Sequence, residues 1–524
     1  MFEHHSRLPR FESAWKDVSM NRLYAALLAL AGLLPIGFVL WRGVPSAPRV
    51  LIHDADVLLS TVLLVGAGTV LCLVIGGGLA LLVWQAQLPR WADALVGVPY
   101  LVPPFIGATA WIAALEAGNP FTGQRIIPIY GVTGILLAWT THYAPLAYLL
   151  IKATLETQSP SYAQAARVHG LNAFGTLSRV TLPLAGPGVV SAAVLLALTL
   201  LGNFGVPQVL GLPERVYTLA TLTYARLLNP TLESPLSSAS GVAVVLIVLA
   251  LPALFGRNGR EVGAASLGER PATGRGNLAR AAVGLWFVIA GLIPLSSILM
   301  LAFKPAYSAG VTFTHFTDAF ALGQVRVGLR NSLALALLSA VLAAGLGLVL
   351  ALAERSSRFV RIVNRAVALS YLLPGAILAI GFILAYGGVQ GFYATPLILF
   401  VAYTVRFLTP GLQNARAGLE LRGDALELAA RVHGVPPRMA FWRVTWPLLR
   451  PFLIATMLLV YPLALSEITL SSILYAPGSE TVGVAVLGLL NEGNLRGAAA
   501  VALVLIALSL PTLFVSRRVA GGGT

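Results

Sequence analysis

Cysteine occurs once in the 524 residues, as Cys72, so an internal disulfide and a thiolate metal cluster are both excluded. Lysine is almost as scarce. Lys16, Lys152 and Lys304 are the three present, and none lies in a Gly-x-x-x-x-Gly-Lys-Ser/Thr phosphate loop, so the chain has no ATP-binding motif of its own. The seven histidines show no metal-ligand spacing, and no nucleophile or acid–base pair recurs at usable spacing, which argues against an enzyme and against a resident cofactor or metal. Charge itself is sparse, at 10% of residues against 57% hydrophobic, far more apolar surface than a soluble fold can hide. The imbalance of 35 basic to 20 acidic residues implies no nucleic acid, because membrane topology and lipid headgroups account for it.

Long apolar runs fill the space left by these absences. A bilayer core about 30 Å thick needs about 20 apolar residues per helical span, since backbone polar groups must be paired within the helix. Twelve such spans are expected, near 23–41, 57–84, 94–115, 131–151, 187–203, 239–256, 282–303, 331–353, 366–387, 395–415, 451–466 and 496–516. The chain therefore reads as an all-α membrane protein. Its expected parts are a cytoplasmic N-terminal segment (1–22), a first six-helix unit (23–256), a Gly- and Arg-rich cytoplasmic linker (257–280) and a second six-helix unit (281–524). Most of the 35 basic residues fall on one side if both termini are cytoplasmic, as the positive-inside rule requires. The first span follows some twenty polar residues and has no convincing cleavage site after it, so it is expected to be retained.

The two units are copies of one another. At an offset of 264 residues, thirteen of the thirty positions 155–184 are identical to 419–448, including Ala-Ala-Arg-Val-His-Gly at Ala165–Gly170 and Ala429–Gly434, and Pro183 against Pro447. Upstream, Tyr100, Leu101 and Pro103 match Tyr371, Leu372 and Pro374 at an offset of 271. An even number of spans per copy makes the repeats parallel. In the first copy Ser159 is placed to cap a helix starting at Pro160 and Gly170 to end it. In the second, Asp424 and Glu427 have capping-box spacing and Gly434, followed by Pro436 and Pro437, stops the helix. A basic helix of this kind could rest in the headgroup layer. Two capped copies are better explained by two equivalent cytoplasmic partners, and His169 and His433 fit a partner contact or the helix C-terminus better than a metal site.

The segments Gln164–Pro183 and Leu428–Pro447 resemble the EAA loop of bacterial ABC importer permeases: Glu-Ala-Ala, three residues, Gly, nine residues, then Ile-x-Leu-Pro. Both glycines and both prolines are in register. Gln164 and Leu428 replace the Glu, with Glu427 one place early; Val180 and Val444 replace the Ile, and Trp446 the Leu. The resemblance covers essentially the whole chain as two fused units and implies a type I ABC importer permease in a bacterial inner membrane. By it, Gln164, Ala165, Ala166, Arg167, His169, Gly170 and Pro183, with Glu427, Ala429, Ala430, Arg431, His433, Gly434 and Pro447, would form two coupling helices seated on a cytoplasmic ATPase homodimer. That partner would hold ATP and Mg, and a periplasmic solute-binding protein would deliver the cargo. An ion-coupled secondary transporter is the alternative of another class.

For the cargo, the stretches after the fifth and eleventh spans, Gly202–Leu227 and Ser466–Leu490, have the Gly and Pro content of broken, pathway-lining backbone. They are similar to those of fused ferric-iron permeases, more than to those of thiamine or polyamine permeases; a phosphonate is a further alternative. Glu467, near the end of an apolar run, is a pathway candidate whose carboxylate would suit a hard cation, unless it is paired with a basic group such as Arg406. Asn203 is its equivalent in the first copy, and His142, matching Arg406, is expected to be packing rather than a ligand. Gly76–Gly78, and Gly345 with Gly347, are expected to permit close helix approach.

Overall fold

Apolar sequence with few charges leaves the backbone no partner but itself, and helix is what results. The computed structural model describes residues 18–116, 121–255, 276–305, 310–422 and 425–521, and among them there is no strand. The expected N-terminal segment up to residue 17 and linker residues 257–275 lie outside the described residues; Gly276–Arg280 open the helix Gly276–Trp286.

Each expected span falls on a helix, but not all are straight crossings. Among the described residues seven helices are long and apolar enough to cross a membrane, or nine if each of two bent pairs is one span. The straight spans expected at 94–115 and 366–387 are broken: Trp91–Leu101 meets Pro104–Leu115 at 89°, and Arg358–Leu372 meets Gly375–Tyr386 at 113°. Proline is the cause in both. Pro103 (φ −51°, ψ 138°) and Pro374 (φ −48°, ψ 134°) hold extended backbone just before the second helix starts, and neither has an N–H to continue the first. Of the other expected spans, 23–41 lies within the helix Val18–Gly43 and 496–516 within the helix Leu495–Gly521, while the helix Pro396–Arg422 carries Arg406 in its middle.

The described residues pack as two compact units, and packing crosses the sequence repeats. One unit gathers described residues within Met1–Leu40, Arg326–Val484 and Ala507–Thr524; the other gathers Trp41–Val325 and Ala485–Ile506. In the latter, Val283, Trp286 and Ala290 join Leu79, Ala80, Val96, Tyr148 and Ile151 in one core, so a helix from beyond the linker completes the core of the first copy. Trp286 Nε1 donates to the Val96 carbonyl at 3.2 Å. Trp286→Phe removes one buried hydrogen bond and is expected to lower stability by about 1 kcal/mol. Trp286→Ala, which also empties a buried indole site, is expected to lower it by about 3 kcal/mol or more, and thermal unfolding of the purified chain checks the order.

Of the glycines expected to permit close helix approach, one in each copy does so. A Cβ at Gly76 would stand 2.2 Å from the Ala144 carbonyl oxygen, and one at Gly347, its repeat equivalent, 2.4 Å from the Gly411 carbonyl carbon. Gly78 and Gly345 have nothing within 4 Å, and Gly77 meets Ile151 at 3.2 Å, so they are not the contact points. A basic side chain at another shared position is neutralised in each unit. Lys152 pairs with Asp93, and Arg416 pairs through both Nε and Nη2 with the two oxygens of Glu354, which also accepts from Asn364 at 2.9 Å.

Candidate functional site: two capped loops and two polar clusters

The duplicated loops end their short helices alike, with matching backbone hydrogen bonds that agree in length to a tenth of an ångström. The first short helix is Pro160–Val168, with Pro160 in its first turn and the Ser159 hydroxyl accepting from the Ser161 N–H at 3.3 Å. The second is Ala425–Val432. The cap expected from Asp424 lies outside the described residues, as do the side chains of Glu427 and Arg431. At the far ends, Gly170 has φ +79° and Gly434 φ +78°. The N–H of Leu171 reaches back to the Ala166 carbonyl at 3.0 Å and that of Val435 to Ala430 at 3.1 Å, while His169 and His433 bond Ala165 and Ala429 at 3.0 and 3.1 Å. This is the Schellman pattern, and its left-handed residue favours glycine because an L side chain crowds the backbone there.

A π-type turn then follows at the same register in both copies, Leu177–Thr181 and Phe441–Thr445. Pro183 and Pro447 come two residues later, at the second position of the helices Leu182–Leu201 and Trp446–Leu465. A proline inside a continuous helix clashes with the carbonyl four residues earlier and supplies no N–H. Widening the preceding turn accommodates it without ending the helix.

The surface of these loops faces outward. Ala166 is buried beneath the first helix, while Gln164, Ala165, Arg167, His169 and Gly170 are exposed and Val168 is 86% exposed. In the second copy Ala430 is half-buried, Ala429, His433 and Gly434 are exposed, and Val432 is 82% exposed. Tyr162 and Leu426, equivalent positions, are also exposed at 54% and 52%. Two helices thus present exposed apolar side chains at matching positions, Tyr162 with Leu426 and Val168 with Val432, and each ends in the same left-handed glycine.

The candidate pathway residues form two clusters, one in each unit. In the first, Asn203 Oδ1 accepts from Trp139 Nε1 at 3.2 Å and from the Val206 N–H at 3.2 Å, and its amide donates to Tyr143 Oη at 2.8 Å. The His142 ring lies against Tyr143 (4.4 Å, edge-on) and Tyr100 (5.1 Å). It is 7% exposed, and its Nδ1 has no hydrogen-bond partner among the described residues. In the second cluster Arg406 Nε pairs with Glu467 Oε2 at 3.1 Å, and Glu467 Oε1 accepts from the N–H groups of Thr469 and Leu470 at 2.9 and 3.1 Å. Tyr403 Oη and Ser471 Oγ both donate to the Glu467 carbonyl. Of the two readings open for Glu467, pairing with Arg406 is the geometry present. Trp139, Tyr143 and Tyr403 were not singled out from the sequence, yet the 264-residue offset that relates Asn203 to Glu467 also relates Trp139 to Tyr403 and Tyr143 to Phe407.

The backbone after each cluster is broken, as expected. A π turn at Pro207–Gly211, a 3-10 turn at Leu212–Glu214 and left-handed Arg215 (φ 57°) separate Leu201 from the helix Leu219–Leu227. In the second copy Thr469–Leu474 is followed by Gly478 at φ +91°.

The family model described as "Binding-protein-dependent transport system inner membrane component" matches this chain twice, over residues 68–260 and 343–521. The chain belongs to this family. It is thus a multi-pass inner membrane permease made of two fused units, and the secondary-transporter alternative falls away. Among its relatives, the Probable ABC transporter permease protein y4fN of Sinorhizobium fredii is 25% identical over 82% of this chain and 79% of its own length. The Fe(3+)-transport system permease protein FbpB 2 of Haemophilus influenzae is 24% identical over 95% of this chain and 98% of its own. The PhnV permease protein of Salmonella paratyphi A, named for 2-aminoethylphosphonate transport, is 27% identical over 46% of this chain and 95% of its own length. These relatives are similar in being permease components of transporters, not catalysts.

Proposed function

We propose that this permease is the membrane subunit of an ATP-driven importer that moves ferric iron from a periplasmic binding protein to the cytoplasm. The observation that carries the coupling role is the pair of short helices at equivalent positions, each ending in a left-handed glycine and each offering exposed apolar side chains. In this reading a cytoplasmic ATPase homodimer binds ATP and Mg and receives one helix in each subunit. Closure of that dimer draws the helices together and opens the outer side to the loaded receptor; hydrolysis resets the inward-facing state. Both termini are then cytoplasmic.

The ferric assignment is supported by the ferric-named relative, whose match runs through both units. The phosphonate-named relative, matching a single unit's length, makes 2-aminoethylphosphonate the second reading. Uptake of 55Fe(III), alongside labelled 2-aminoethylphosphonate, thiamine and spermidine, in cells with and without this gene separates the cargos. Loss of iron uptake alone is expected. Loss of another solute with iron unchanged would discard the ferric reading and keep the permease.

A further inference from the structure

Arginine has five N–H donors in a planar fork, and where it serves only to hold a fold it tends to engage a carboxylate with two of them. Arg416 does so in this same unit, through Nε and Nη2 to both oxygens of Glu354. Arg406 is held differently: its Nε lies 3.1 Å from Glu467 Oε2, while Glu467 Oε1 accepts from the N–H groups of Thr469 and Leu470. Arg406 Nη1 is buried and has no hydrogen-bond partner among the described residues, a costly arrangement for a charged donor.

Gly375, just after the Pro374 break, packs against that nitrogen: an added Cβ there would stand 3.2 Å from Nη1 and 3.2 Å from the Thr469 side chain, so only the missing side chain keeps this flank of the guanidinium uncovered. Gly375 also opens a twelve-residue helix, whose first amides lack intrahelical partners and add positive potential on the same side. Tyr371, at the bend, is 37% exposed and lies within electrostatic reach of both Arg406 and Glu467. In the other copy His142, equivalent to Arg406, is packed against Tyr100 and Tyr143 with its Nδ1 unpartnered among the described residues, and Tyr100, equivalent to Tyr371, is 38% exposed. A cation ligand is missing from this picture. Both Glu467 oxygens are engaged, and no group of three or more His, Cys, Asp or Glu able to hold a metal occurs among the described residues.

We propose that Arg406, through Nη1, binds an oxyanion group of the cargo: a phosphate, phosphonate or carboxylate oxygen. The cargo is then either an oxyanion itself or a ferric ion moving with an oxyanion ligand, and Glu467 orients Arg406 rather than coordinating metal. This rests on the chain being an importer's permease, and it narrows the cargo's chemistry.

The test uses the full chain in lipid nanodiscs and three probes in equilibrium dialysis: [32P]orthophosphate, labelled 2-aminoethylphosphonate and 55Fe(III) citrate. Wild type is expected to bind at least one of them saturably. Glu467→Gln is expected to keep that affinity within threefold or improve it, since it frees the guanidinium. The double variant Arg406→Gln with Glu467→Gln, which leaves no unpaired buried charge, is expected to weaken binding tenfold or more, and Arg406→Lys to weaken it less. Wild type binding none of the probes, or the double variant binding as wild type does, overturns the assignment. So does loss of binding in Glu467→Gln with monodisperse protein, which would return Glu467 to the role of ligand. Cellular uptake is read separately. Iron uptake that is independent of Arg406 rejects this inference while leaving the importer intact, whereas wild-type cells that take up neither iron nor 2-aminoethylphosphonate reject the cargo reading, with the nanodisc data still deciding on Arg406.

Discussion

Replacing both loop glycines, Gly170→Asp with Gly434→Asp, is expected to reduce ATP-driven uptake a hundredfold or more while the protein still inserts and purifies as a monodisperse species. Both residues sit at φ near +79° with open space around them, so the substitution meets strain rather than collision. Left-handed backbone costs a non-glycine residue about 1–2 kcal/mol, and aspartate tolerates it better than most. The membrane helices are therefore expected to survive. The larger effect is electrostatic, since a carboxylate placed beside the helix C-terminus opposes its dipole and puts negative charge on a surface that offers apolar side chains. Uptake should fall far more than yield, and copurification of the ATPase should fall with it. Gly170→Ala with Gly434→Ala, which strains the backbone without adding charge, should give an intermediate loss. Full uptake by the aspartate pair would remove these helices from the coupling role.

The repeat made much of this legible, and what it missed has physical causes. The identity of Ala165–Gly170 with Ala429–Gly434 anticipated two helices with the same end, and the structure repeats even the carbonyls that the end uses. Hydropathy located the spans at 94–115 and 366–387 but carries no information about direction, so the right-angle breaks at Pro103 and Pro374 do not show in it. The signal was nevertheless there, in the shared Tyr-Leu-x-Pro. The π turns left a fainter trace, a proline two residues downstream. For Glu467 a lone carboxylate in an apolar run fits either a ligand or an ion pair, and only the helix crossing that brings Arg406 to it decides which geometry holds. Nor could composition say which glycine of Gly76–Gly78 is covered, because neighbouring helix positions point about 100° apart and one faces the partner while another does not.

That directional difference supplies the second large effect. Gly347→Val is expected to abolish recovery of folded protein, and Gly345→Val to leave it near wild type. At Gly347 a Cβ would lie 2.4 Å from the Gly411 carbonyl carbon and 2.6 Å from the Leu412 nitrogen, and the facing Gly411 is itself 2.0 Å, by the same measure, from the Ala343 carbonyl oxygen. These neighbours are backbone on both sides, with no side-chain end to swing aside. The helices Gly323–Ser356 and Pro396–Arg422 would have to separate, losing dispersion contacts along their length where lipid gives little hydrophobic incentive to close again. Overpacking typically costs about 1–3 kcal/mol even where side chains can yield, and here they cannot. Gly76→Val against Gly78→Val repeats the comparison in the other unit, with the Ala144 carbonyl 2.2 Å from the new Cβ in one case and nothing within 4 Å in the other. Size-exclusion profiles of the four variants decide the matter. Equal losses at Gly345 and Gly347 would mean that helix propensity or lipid contact, rather than backbone proximity, selects glycine here.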